Sequence, residues 1–141
     1  MNNIDLKLND IKGINMSLDA GVKIIKPEGG TSDDYSTEET IIGTWFGETL
    51  YRKVVVFDSL PNNNYTEIQH NIPNIDLIVN MHGVAVRYDG DTLPIPYITF
   101  NDANMGGITI YADKVKVLIR TVTNRSNYRG YVTLEYTKEI N

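Results

Sequence analysis

The fold turns on residues 35–57, Tyr35-Ser-Thr-Glu-Glu-Thr-Ile-Ile-Gly-Thr-Trp-Phe-Gly-Glu-Thr-Leu-Tyr-Arg-Lys-Val-Val-Val-Phe57. Two runs rich in β-branched and aromatic residues, Thr40 to Trp45 and Leu50 to Phe57, flank a turn containing Gly47. β-Branched and aromatic side chains suit a pleated, half-buried surface, and a glycine between two such runs marks a hairpin. The only tryptophan, Trp45, ends the first run. Just before it, Ser36 or Thr37 is placed to cap a helical turn containing Glu38 and Glu39.

Downstream the same grammar continues. Asp58 to Asn64 is a loop, since its Pro-Asn-Asn-Asn run cannot sit inside a strand. Asn71 to Asp76 reads as a turn before a long strand, Leu77 to Arg87, with Gly83 at a bulge or close approach. Asp89-Gly-Asp-Thr is a turn, Leu93 to Tyr97 with two prolines is an edge strand or extended loop, and Asn101 to Gly106 is a loop. Gly107–Ala112 and Val115–Arg120 form a second hairpin around Asp113-Lys114. Tyr131–Tyr136 is the last strand, with Val132 and Leu134 on its apolar face. Many short strands separated by turns, and no long helical pattern, predict an all-β fold: an antiparallel β-sandwich or short barrel.

Upstream the character changes. Residues 1–34 alternate loosely, hold a short strand candidate at Val22–Lys26, and end in a turn-rich linker, Glu28 to Asp34. This stretch is too short for its own core. It reads as an attachment segment and linker, with 35–141 as the folded module.

Composition excludes several classes. There is no cysteine, hence no disulfide, thiolate nucleophile or cysteine zinc site. No run of about 18 apolar residues suggests membrane insertion. The net charge of −5 makes a poor general nucleic-acid binder. Charge is uneven: residues 35–112 carry −6 and residues 113–141 carry +3.

Chemistry is hard to place. His70 and His82 have neither the spacing nor the company of a metal motif, so no metal is expected. Glycosidases need two carboxyl groups about 5–10 Å apart. Asp33-Asp34 and Glu38-Glu39 are explained more simply as solvated linker and helix start. Asp89-Gly-Asp-Thr lacks the remaining ligands of a calcium loop. No P-loop, nucleophile elbow or dinucleotide fingerprint is present, so no cofactor and no catalytic residue is expected. One polar cluster remains, Thr121 to Gly130 next to Arg120. Asn124, Arg125, Asn127, Tyr128 and Arg129 offer forked donors, amides and an aromatic ring, the equipment of a sugar site. The commoner use of such arginines is ion pairing with the acidic middle segment, in the same chain or a neighbouring subunit. Of the nine tyrosines, Tyr111 and Tyr136 are expected in strand packing, and Tyr65, Tyr88 and Tyr128 near loops.

The segments also match a known pattern in order. Tyr35 to Lys53, with its YSTEE, IGTW and LYRK elements, resembles the opening of C-terminal modules of phage and prophage tail-fibre proteins from Gram-positive hosts. Ile72-Pro-Asn-Ile-Asp76, Pro94-Ile-Pro-Tyr97, Ile110-Tyr-Ala-Asp-Lys114 and Asn124 to Lys138 resemble the later elements of that family. About residues 35–138 take part. The resemblance implies a β-structured virion module, commonly homotrimeric, that binds a host cell-wall glycan, with residues 1–34 contacting other virion proteins. It supplies no catalytic residue. The module normally ends a much longer fibre, whereas 34 residues precede it here. A short head or baseplate fibre or decoration protein without receptor binding is the alternative.

Overall fold

In the computed structural model, residues 35–101 and 104–140 are described; the attachment segment and linker expected at 1–34 lie outside them. Nine strands form two antiparallel sheets, and the described residues contain no helix. The five-stranded sheet joins β1 (Thr40–Trp45), β2 (Glu48–Phe57), β9 (Tyr128–Lys138), β4 (Ile75–Arg87) and β5 (Thr92–Ile95), in that order. The four-stranded sheet joins β3 (Tyr65–Gln69), β8 (Lys116–Thr121), β7 (Asn104–Ala112) and β6 (Tyr97–Asn101). Of the two architectures expected, the sandwich is found.

The first hairpin forms because its tip can bend. Trp45 pairs with Glu48, and the two residues between them, Phe46 and Gly47, have φ of 48° and 89°. Two successive positive φ values give the tight turn whose twist matches the strands. Glycine takes that conformation freely, whereas phenylalanine is strained there. The tip leaves Phe46 93% exposed, edge-on to Trp45.

The core comes from strict alternation on β9. Tyr128, Gly130, Val132, Leu134 and Tyr136 point inward, where they meet Val55 and Phe57 of β2 and Val117 and Ile119 of β8. Burying such a side chain contributes about 1.5–3 kcal/mol, so this central strand ties the sheets together. Gly130 is required there: a Cβ would stand 2.8 Å from Leu60. Gly83 of β4 is a close approach, as its position suggests. A Cβ there would lie 2.3 Å from the Tyr131 carbonyl oxygen, while the register shifts of β4 fall between Ile75 and Asn80.

Three expectations change, and one strand, Tyr65–Gln69, is unforeseen. Ser36 caps no helix. Its Oγ accepts from the Glu38 amide at 3.0 Å in a bend, and its carbonyl accepts from Val54 N–H at 2.8 Å, which holds the segment extended along β2. The expected loop 101–106 is largely strand, with Asn101 paired to Asn104. Its one glycine serves packing: a Cβ on Gly106 would crowd Thr99 Oγ1 at 2.8 Å. Tyr65–Gln69 forms an edge strand by alternation, Thr66 and Ile68 turned toward the core side. Tyr111, expected in packing, is exposed opposite Leu118, because Ile108 and Ile110 take the core side of β7.

Candidate functional site

Three loops meet at one end of the sandwich: Asp58–Asn64, the β4–β5 turn at Tyr88–Asp91, and Val122–Asn127, which carries the candidate residues. Backbone bonds bind them together. Leu60 N–H donates to Tyr128 O, Arg125 N–H to Pro61 O, Asn63 N–H to Thr123 O and Tyr88 N–H to Asn127 O, all at 2.9–3.3 Å. Buried Thr121 adds a hydroxyl bond to Pro61 O at 2.8 Å. An end so tied presents its side chains from a fixed frame.

The five candidate residues divide. Asn124 Oδ1 accepts from the amide and hydroxyl of Ser126, which shapes the loop. Asn127 and Arg129 are exposed, and Arg125 is half-buried with its guanidinium 5.3 Å from the Tyr128 ring. Arg125 Nε is buried without a hydrogen-bond partner among the described residues. Tyr128 is 5% exposed and belongs to the core, so it offers no stacking face. That face is supplied by Tyr88, 62% exposed, with the Arg129 guanidinium 5.3 Å from its ring. On the other flank Tyr65, 59% exposed, pairs in register with Arg120.

The Arg129–Tyr88 pairing joins residues about forty positions apart and has no local signature. The inward turn of Tyr128 was legible, because the Val132–Leu134 alternation runs back through Gly130 to it.

Ion pairing of these arginines with the acidic middle segment is not found. Among the described residues, Arg120, Arg125 and Arg129 have no carboxylate within salt-bridge distance. The other two described arginines do. Arg52 binds Glu135 at 2.9 Å, and Arg87 binds Asp89 and Asp91. The Arg87 guanidinium holds the Asp89 carboxyl below its ordinary range. Those aspartates are thus occupied in the hairpin turn that their sequence suggested.

Asp33 and Asp34 lie outside the described residues; the other candidates for chemistry are accounted for structurally. Glu39 accepts from Tyr136 Oη at 2.6 Å and from Lys138 Nζ at 2.7 Å, while Glu38 is exposed. Buried His70 accepts the Ile72 amide at Nδ1, which leaves Nε2–H to donate to Asp113 O at 3.1 Å. Among the described residues no three His, Asp or Glu side chains converge as metal ligands.

The outer face of the five-stranded sheet bears a shallow cleft of about 540 Å³. Val54, Val56, Val84 and Tyr131 form its apolar floor, His82 lies on it, and Tyr35 stands at its wall. No family model, curated protein or solved structure matches the chain.

Proposed function

We propose that residues 35–141 form a non-enzymatic head module of a bacteriophage fibre, which binds a host cell-surface carbohydrate at the loop end. The observation that carries this reading is the exposed Tyr88 ring with Arg129 over it and Asn127 beside it, set on three mutually bonded loops. An aromatic face with forked donors and an amide suits a sugar ring, whose C–H faces stack and whose hydroxyls hydrogen-bond. The ordered resemblance to fibre modules supports the same reading. Its segments fall on β1, the first part of β2, the start of β4, the end of β5, the end of β7 and β9. The module would act as a homotrimer on the particle, where weak sites on linked copies bind jointly. Light scattering showing a monomer at micromolar concentration would remove the trimer from this picture.

The decisive test is binding of labelled protein to host cells, competed by purified wall polysaccharide. The double substitution Tyr88→Ala with Arg129→Ala should abolish competable binding while leaving thermal unfolding unchanged. Unaltered binding would move the site elsewhere. The structural-fibre alternative is favoured by a separate observation, the exposed Trp45–Phe46 tip and the apolar cleft, surfaces suited to protein contact. It gains if the wild-type chain binds virion proteins and no cells.

A further inference from the structure

We infer that the ligand of the loop end is an anionic polymer, a glycan bearing phosphate or carboxylate groups along its chain. This rests on the carbohydrate reading above and names the ligand's charge. The described residues carry 11 acidic and 9 basic side chains, so a cation placed without bias should readily find a partner. Five described cations have one: Lys114 binds Glu139, Lys116 binds Glu67, Lys138 binds Glu39, Arg52 binds Glu135, and Arg87, at the loop end itself, binds Asp89 and Asp91. Among the described residues the unpaired cations are Lys53, Arg120, Arg125 and Arg129, and the three arginines all belong to β8, β9 and the loop between them. Asp58 lies at the same end and is within ion-pair distance of none of them.

Their placement favours a polymer over a single small anion. Thr121 and Tyr128 turn inward, so neighbouring Arg120 and Arg129 lie on opposite outer faces of the sandwich, with half-buried Arg125 across the end between them. Stacked sheets stand about 10 Å apart. A lone phosphate cannot span that distance, whereas a chain with repeated charges can meet several arginines at once and gain from their joint engagement. Guanidinium groups match phosphate and carboxylate oxygens in a fork. Tyr65 beside Arg120 and Tyr88 beside Arg129 add ring faces for the sugar or polyol units between charges.

Affinity electrophoresis of the full 141-residue chain tests this. The gels contain poly(glycerol phosphate), polygalacturonate or neutral dextran, with inorganic phosphate as a soluble competitor. At least one polyanion should retard the protein, and dextran should not. The polymer that retards identifies the anion as phosphate or carboxylate. Retardation should weaken at about 0.15 M salt, where exposed charges are screened beyond about 8 Å. Arg120→Gln with Arg129→Gln should weaken it tenfold or more, and Lys114→Gln at the opposite end should not. Arg120→Lys with Arg129→Lys, which keeps the charge and loses the fork, should weaken it less than the Gln pair does. Equal retardation by dextran, or polyanion binding indifferent to the double Gln variant, overturns the inference. If that variant still binds host cells while Tyr88→Ala does not, the anionic ligand falls and the carbohydrate reading stands. If the wild type binds neither polymer nor cells, both fall.

Discussion

The two ends of the sandwich use their cations in opposite ways. At the end holding the β7–β8 turn and the last residues of β9, Lys114, Lys116 and Lys138 each meet a glutamate at 2.6–2.8 Å. Asp113 also closes its own turn there, accepting the amides of Val115 and Lys116, which hold its carboxyl below the ordinary range. At the loop end Arg87 is paired with Asp89 and Asp91, but Arg120, Arg125 and Arg129 have no such partner among the described residues. Exposed ion pairs contribute little to stability, so the lysine end gains chiefly a neutral surface. Leaving arginines unpaired forgoes little stability in return for an attractive surface. On the proposed reading, the location of charge, more than its total, marks the face turned to a ligand.

The largest expected effect tests how the loop end is built. Tyr128 is interior, so Tyr128→Ala should cost about 3–5 kcal/mol, read as a shifted denaturant midpoint, and should weaken binding by loosening the loops. Tyr128→Phe should leave both nearly unchanged. If Tyr128→Ala unfolds like the wild type yet loses the ligand, the ring is a contact surface after all. At the opposite end, Glu39→Ala leaves the buried Tyr136 hydroxyl without its acceptor, a loss of about 1–3 kcal/mol. Burial, and then the Glu39 bond, push the Tyr136 phenol well above its usual range, so it remains a neutral donor. Tyr136→Phe removes donor and need together and should cost less than Glu39→Ala. The reverse order in urea titrations would show that the Tyr136 hydroxyl finds another acceptor once Glu39 is removed.

Much of the frame was legible because it is written in period two. The first hairpin, the long β4, the edge prolines and the β7–β8 hairpin all follow from local residue pattern, and each lies where its residues suggest. Gly106 of β7 reads as loop because its close approach to Thr99 of β6 cannot be seen from one strand. The candidate site was legible as a segment and opaque as a surface. Asn127 and Arg129 are exposed, but the ring beside them comes from Tyr88 in another turn. That these arginines lack a carboxylate partner among the described residues is a tertiary fact, which a count of charges along the sequence cannot show.

A smaller effect probes the lysine end's aromatic tip. Phe46 adopts a left-handed conformation that costs an L-residue about 1–2 kcal/mol, and it is almost fully exposed. Phe46→Asn supplies a side chain that tolerates this turn, so the isolated domain should gain about 1 kcal/mol and melt a few degrees higher. A loss of stability, especially one that grows with protein concentration, would mean that Phe46 packs against another copy. The lysine end would then be the assembly face opposite the binding face, which sharpens the contrast.

The smallest effect concerns acid. Glu135 lies on the outer face of the five-stranded sheet, where burial raises its carboxyl. Hydrogen bonds from Asn80 and Arg52 outweigh that and hold it below the ordinary range. A carboxyl lowered on folding contributes stability that is complete above its unfolded value, about 4.3, and that is lost as pH falls toward and through the folded value. Glu135→Gln should therefore flatten the acid limb of a stability profile below about pH 5, by no more than about 1 kcal/mol, as befits a partly exposed pair. It should leave the neutral-to-basic limb parallel to wild type. Arginines do not titrate over this range, so affinity for a polyanion that keeps its charge should stay level while stability falls. Should affinity fall in step with the Glu135-dependent loss, the loop end would share the sheet's acid response, and the two regions would not be independent.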